Sequence, residues 1–423
     1  MNLKKIKQLP SVNSLLTSRV NTSLKIYLCG PTLYRKVHIG NLRGIYLADI
    51  LARISWFFYQ KKVYFLHNIT DTDERISSLC ANSKEEEKFS EQMSKNYITL
   101  LQKINLLFFP HIVRVSKRMK VIVHFIKRLL AKDLVRIQKD EVYFFNPKFV
   151  VWRRGKGKRK FPSPWSLGEP GWHTECAALI DSEFGSKQID LHLGGKELLF
   201  PHHFNENLQF SYLNNLPISR FWLNHELVYF KGEKISKSIQ KTSPAQVEAE
   251  NFLENNDPAL ARYLLLSRNP YHKIILDKRM IIKEGIQNLK KIRETIQRAC
   301  WLIKLISLKP TKPKRVLLLE VKKMIKDKPL RPNKIIEKIH SLRHAINLRM
   351  NLDLEEKEKK DFANHFFLML FLTRKIIGIS VTLPRFSRKN INLFKDWRRM
   401  IEKREFKIAD KLRKELNKRL IFV

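Results

Sequence analysis

Three features of the sequence predict an α/β protein with a doubly wound sheet and a helical bundle behind it. A short apolar strand, an apolar helix and a second strand open the chain, with turn residues at the strand ends. Strand-like apolar segments resume near 189–193 and 227–230. After Pro258 the pattern turns helical, rich in Lys and Arg and poor in glycine. The first two features describe a Rossmann-type domain broken by an insertion, a fold whose ligands bind beyond the carboxyl ends of the strands. The third describes a C-terminal α-helical bundle.

The elements follow in order. Leu24 to Cys29 reads as the first strand and Gly30-Pro31-Thr32 ends it. From His38 to about Tyr59, Leu, Ile, Ala and aromatics without Pro predict a buried helix. Lys62 to Ile69 is the second strand, ended by Thr70-Asp71-Thr72-Asp73. Residues 84–150 read as a connective insertion, with helices over about 85–106 and 115–131 and strands over 134–137 and 141–145. A basic loop, Arg153 to Lys160, follows. Ala259 to Leu266 is helical, and proline-bearing breaks fall at 308–314 and 328–332. The expected domains are therefore 1–83 and 151–257, the two halves of the α/β domain, with 84–150 inserted between them and a helical domain at 258–423.

Composition narrows the partners. Lys and Arg number 82 against 40 Asp and Glu, a net charge of +42 that favours a polyanion such as nucleic acid. A lysine-rich genome would produce part of the same excess. Cys29, Cys80, Cys176 and Cys300 are too far apart for a disulfide scaffold, so a reducing cytoplasm is expected. No apolar run reaches a membrane span; Phe366 to Leu372, the longest candidate, is short. Met1 to Val20 lacks a secretory apolar stretch, so the N-terminus is expected to be mature.

Three constellations carry chemistry. His38-Ile39-Gly40-Asn41 opens the first helix. A helix start offers free N–H groups and a positive dipole end to phosphate, glycine allows close approach, and histidine can meet charge developing on a phosphoryl centre. Lys234-Ile235-Ser236-Lys237-Ser238 places two lysines three apart on a polar loop, able to clamp a triphosphate. His202 and Glu206 lie four apart, on one helix face with His203 turned away, and Cys29 and Cys176 would complete an S, S, N, O set of the kind zinc accepts. Each motif alone has a plainer explanation: a helix cap, a solvated basic loop, buried thiols and packed histidines.

The two lysine and histidine motifs together, about 200 residues apart and bracketing the α/β pattern, resemble the His-Ile-Gly-His and Lys-Met-Ser-Lys-Ser signatures of class I aminoacyl-tRNA synthetases. Tyr27 to Tyr34, Asn68 to Asp73, Ser163-Pro164-Trp165, Gly171 to Cys176, Asp190 to Gly195 and Phe200 to Glu206 narrow the resemblance to the cysteinyl-tRNA synthetase family, over most of 24–270. That family has Asn at the position of Asn41. The resemblance implies one zinc ion on Cys29, Cys176, His202 and Glu206. It implies a cysteine pocket lined by Thr70, Trp172 and His192. It implies that ATP, with Mg2+, meets His38, Gly40, Asn41, Lys234 and Lys237, of which His38, Asn41 and the lysines are catalytic. The expected partners are cysteine tRNA, L-cysteine and ATP, and a monomer is expected. No insertion resembles an editing domain, which fits rejection of serine by the metal: zinc prefers a thiolate to a hydroxyl, whereas a pocket separates such near-isosteres poorly.

Departures are visible. Leu193-Gly194-Gly195-Lys196-Glu197 replaces the family's usual Gly-Gly-Gly-Ser-Asp run. The stretch between Phe145 and Trp152 is shorter than in the family, and the match is loose over about 315–390. Phe406 to Leu416 resembles the family's late helix, and the chain stops at Val423, where an anticodon-reading segment is expected to continue. Two rivals share the motifs: a ligase joining cysteine to an amino sugar, and a decayed RNA-binding relative. The late helix and the charge favour tRNA over the first, and the intact chemical positions argue against the second.

Overall fold

The structure, a computed structural model, describes residues 6–17, 23–145, 148–230, 233–234, 248–306, 315–326, 328–350, 354–384 and 386–418. The chain forms two compact units, Met1–Asp277 with Ile325–Arg331, and Lys278–Met324 with Pro332–Val423.

The first unit opens with a short helix, Val12–Leu16, then β1 (Ser23–Leu28), the helix Leu42–Tyr59 and β2 (Lys62–Ile69), followed by the helix Ser83–Gln102 and β3 (His111–Arg114). The helix Met119–Ala131 leads to an antiparallel sheet of β4 (Val135–Gln138), β5 (Glu141–Phe145), β6 (Lys148–Arg154) and β7 (Gly168–Pro170). The helix Trp172–Phe184 returns to β8 (Ile189–Gly195), and the helix Phe204–Asn214 leads to β9 (Ser219–His225). Last come β10 (Val228–Phe230), β11 (Glu233–Lys234) and β12 (Ile274–Leu276), with the helices Ala249–Asn255 and Pro258–Leu266 between the last two.

The main sheet is parallel, in the order β3-β2-β1-β8-β9. Its centre is apolar on both faces, as a helix-covered parallel sheet requires: Ile26, Leu66 and Leu191 are fully buried. The helix Leu42–Tyr59 is buried from Leu42 through Ser55. Three charges inside it are therefore notable, and two of them are Asp49 and Arg53. Asp49 accepts from Arg53 (2.7 Å), Arg262 (2.6 Å) and the backbone N–H of Leu107 (2.8 Å), tying the helix to two neighbouring segments. Removing one partner of such a buried group costs about 3–5 kcal/mol.

Two boundaries differ from the sequence reading. His111–Arg114 pairs with β2 as an edge of the main sheet, so the segment read as one insertion over 84–150 is divided, and only its second half builds a separate sheet. The α/β unit also continues past 258, through Pro258–Leu266 and β12, to Asp277.

The second unit is helical. Gln287–Leu305, Pro332–Leu348 and Glu356–Phe371 bury Ile292, Ile296, Ile335, Ile339, Phe362 and Phe366. Arg388–Glu402 and Phe406–Lys418 pair around Trp301, Phe394 and Leu416. Among the described residues no helix is long and apolar enough to cross a membrane.

Candidate active site and metal centre

A cavity of about 290 Å³ opens at the carboxyl ends of β1, β8 and β9. Cys29, Gly30, Pro31 and Thr32 follow β1 directly, and His38, Gly40 and Asn41 form the turn before the first helix. Trp172, Gly194, Gly195 and Glu197 line a second side, and His225, Glu226, Leu227 and Val228 a third. The Asn41 side chain accepts from the His38 N–H at 3.0 Å, so these two residues close the turn on each other. Gly30 is required by close approach: a Cβ there would lie 1.5 Å from the Asn68 carbonyl oxygen.

Beneath Cys29 lies a cluster of donors. Cys29, Cys176, His202 and Glu206 present one sulfur, nitrogen or oxygen each, all within 4.8 Å of one another. The Cys29 sulfur is 3.6 Å from His202 Nε2 and 3.5 Å from Glu206 Oε1, and the Cys176 sulfur is 3.7 Å from His202 Nε2. Tetrahedral zinc with bonds near 2.0–2.3 Å sets its ligands about 3.5 Å apart, so these edges fit. His202 Nε2 and Glu206 Oε1 stand closer, at 2.6 Å, as an ion pair. Burial alone would lower the His202 imidazole, but Glu206 and the Cys176 sulfur raise it to about 10. Burial would likewise raise Glu206, yet the His202 and His192 imidazoles hold it well below the usual carboxylate range. Burial pushes the Cys29 thiol up, while for Cys176 burial is outweighed by hydrogen bonds from Cys29 and His202, which bring it down. The donor set, two sulfurs, an imidazole and a carboxylate, is compatible with a metal ion.

A second set, Cys29, His192, His203 and Glu206, is equally compact. Hydrogen bonding separates the two. Gln8 donates to the Asn224 oxygen (2.8 Å), which turns the Asn224 amide N–H onto His203 Nδ1 (2.8 Å). His203 then carries its proton on Nε2 and offers it to the Cys29 sulfur at 3.5 Å. His203 is thus placed as a hydrogen-bond donor. His202 faces the cluster with its Nε2 and stacks on Trp172, with ring centroids 4.1 Å apart.

The other sequence-predicted residues sit as follows. Trp172 lines the cavity and is 40% exposed. Thr70 and His192 are buried and stand behind the wall. The Thr70 hydroxyl donates to Glu175 (3.2 Å) and accepts from Asn68 (3.3 Å), whose oxygen takes the Tyr27 hydroxyl and the Gly30 N–H. His192 Nε2 donates to Glu206 Oε2 at 2.6 Å and its ring stacks on Trp222. Lys234 ends the short strand β11, and Lys237 lies outside the described residues.

Sequence reasoning missed several residues. It turned His203 away from the His202–Glu206 face, yet both imidazoles reach the Cys29 sulfur, His202 Nε2 at 3.6 Å and His203 Nε2 at 3.5 Å. His67 and Tyr97 also line the cavity. His67 Nδ1 donates to the Leu28 carbonyl (2.9 Å) and Nε2 accepts from the Tyr97 hydroxyl (2.8 Å). A histidine inside the apolar run of β2 was the available signal.

Comparison with known proteins agrees with this geometry. The family described as tRNA synthetases class I (C) catalytic domain matches residues 16–148 and 138–284. A cysteine–tRNA ligase of Mesomycoplasma hyopneumoniae (strain J) is 31% identical over 93% of this chain and 96% of its own length. The chain belongs to the cysteine–tRNA ligase family of class I tRNA synthetases. A Mycoplasma genitalium member is 29% identical over 97% of this chain and 99% of its own length. The fold is that of the wider class: a Mycobacterium tuberculosis methionyl-tRNA synthetase superposes with a TM-score of 0.65 at 12% identity, over 84% of this chain and 92% of the other.

Proposed function

We propose that this chain activates L-cysteine with ATP to cysteinyl-adenylate and passes the cysteinyl group to the 3′ end of the cysteine tRNA. The observation that carries this reading is the four-donor cluster at the cavity floor, reached from the cavity through Cys29 and facing the His38–Asn41 turn across it. Cys29, Cys176, His202 and Glu206 would hold the zinc ion. Bound there, zinc supplies affinity for the substrate thiolate, which a serine hydroxyl does not match.

The chain's own groups do the rest. Trp172 covers His202 and limits water at the thiol end. His38 and the N–H groups of the turn face charge that develops on the α-phosphate when the cysteine carboxylate attacks it and pyrophosphate leaves. Lys234 and Lys237 hold the triphosphate, with Mg2+ accompanying ATP. The tRNA ribose hydroxyl then takes the cysteinyl carbonyl and AMP leaves. Four cysteines outside any disulfide suit a reducing cytoplasm, and the basic surface suits the tRNA backbone, with the enzyme acting as a monomer.

The test is charging with labelled cysteine by purified protein with ATP, magnesium, zinc and cysteine tRNA. Charging that excludes serine is expected. Cysteine-dependent ATP–pyrophosphate exchange without charging would instead favour a ligase acting on a small molecule. Neither activity in folded, zinc-loaded protein would end the reading.

A further inference from the structure

Arg43 is fully buried on the first turn of the helix Leu42–Tyr59, immediately behind the cavity wall. Its guanidinium donates to three backbone carbonyls: Nη1 to Glu226, and Nη2 to Asn269 and His272 at 3.0 Å each. Among the described residues no carboxylate pairs with it; the Glu226 carboxylate is taken by Lys196 at 2.5 Å. A buried cation whose nearby carboxylate, Glu226, is engaged by Lys196, at the positive end of a helix, is an expensive choice for packing alone.

The three acceptors belong to two segments. Glu226 leads into β10, and 269–272 leads into β12. Those segments are bonded to each other, Glu226 N–H to the Pro270 carbonyl (2.8 Å) and Ile274 N–H to the Leu227 carbonyl (3.1 Å). β10 and β12 run parallel, and β11, ending at Lys234, pairs with β10. The rigid planar fork of one arginine therefore fixes the spacing between the turn carrying His38 and the sheet from which Lys234 emerges. Lysine has no such fork.

Resting on the adenylation reading above, we propose that Arg43 is a positioning residue that sets the distance between the two halves of the ATP site. Charge develops between those halves when pyrophosphate leaves, whereas cysteine is held at the floor. A small displacement of one half thus acts on turnover and leaves cysteine binding alone.

The experiment is cysteine-dependent ATP–pyrophosphate exchange by the full chain, zinc-loaded, for the unaltered protein, Arg43→Lys and Asn269→Ala. Asn269 accepts the Tyr271 N–H on its side chain (3.2 Å) and shapes the loop that offers two of the three carbonyls, so its replacement loosens the clamp with Arg43 in place. Arg43→Lys is expected to lower kcat about 10–100-fold, with KM for cysteine within about 2-fold and zinc content unchanged. Asn269→Ala is expected to show a smaller loss of the same kind, and it carries the test if Arg43→Lys does not fold. Unchanged kcat, or parallel losses in kcat and cysteine KM, would overturn the proposal while exchange by the unaltered chain upholds the adenylation reading. No exchange by the unaltered chain would overturn both.

Discussion

The floor of the cavity takes its donors from the end of β1, from the helices Trp172–Phe184 and Phe204–Asn214, and from the helical turn Leu199–His203 before the latter, whereas the rim is a short turn, His38–Asn41, facing segments held by backbone hydrogen bonds. At the floor, side chains fix side chains: His192 on Glu206, Asn224 on His203, Trp172 on His202. At the rim, Arg43 fixes carbonyls and Asn41 fixes a backbone N–H. The difference follows from the two tasks. Telling one sulfur from one oxygen needs donors that do not move. Admitting a triphosphate and releasing pyrophosphate needs an edge that stays open.

That division predicts separable defects. Cys29→Ser or His202→Ala should abolish cysteine binding and take zinc well below one per chain. Loss of a group one shell outside a metal costs about 10–100-fold, so loss of a donor itself should cost more. Elemental analysis and calorimetry with cysteine measure both; normal zinc and normal binding would sink the ligand assignment. At the rim, His38→Ala should cost about 10²–10³ in the rate of adenylate formation with cysteine affinity unchanged, as removal of one aimed donor does elsewhere. Rapid-quench kinetics decide it, and an equal loss of cysteine affinity would erase the contrast between floor and rim.

A third expectation concerns the support between them. Burial drives the His67 imidazole down from its ordinary 6.5 to about 4, against the Leu28 carbonyl, which favours its proton. As pH falls the unfolded chain takes up this proton first. His67 therefore supports the fold above about pH 6.5, and this contribution fades down to about pH 4, by about 3 kcal/mol in all. Urea unfolding between pH 7 and 4 should show a shallower pH slope for His67→Gln than for the unaltered chain; identical slopes would remove His67 from the account.

Much of this was legible from residues alone, for physical reasons. β1 and β2 are short, largely apolar runs ended by turn residues, the pattern of strands in a helix-covered parallel sheet. β3 was not legible, because His111–Arg114 is four residues long, with polar ends, and shows its strand character only beside β2. β9 was hidden by Arg220, Asn224 and His225, side chains used at Asp190, His203 and the cavity. The motif residues were readable as types, but the division of roles between His202 and His203 rests on the Asn224 amide at His203 Nδ1, a contact that spacing does not reveal. Arg43 announced itself only as a charge in an apolar helix, and its partners lie more than 180 positions away.

The smallest expected effect is also the most discriminating. The sequence resemblance puts His192 in the cysteine pocket, yet its ring is fully buried, stacked on Trp222, with Nε2 on Glu206. A residue that touched the substrate would, on replacement by Asn, raise the KM for cysteine even with zinc saturating. A residue that orients Glu206 would weaken zinc about 10–100-fold, and excess zinc would restore the KM. The geometry favours the second outcome. Chelator competition followed by exchange kinetics at saturating zinc separates the two, and a KM that stays raised would return His192 to the substrate's side of the wall.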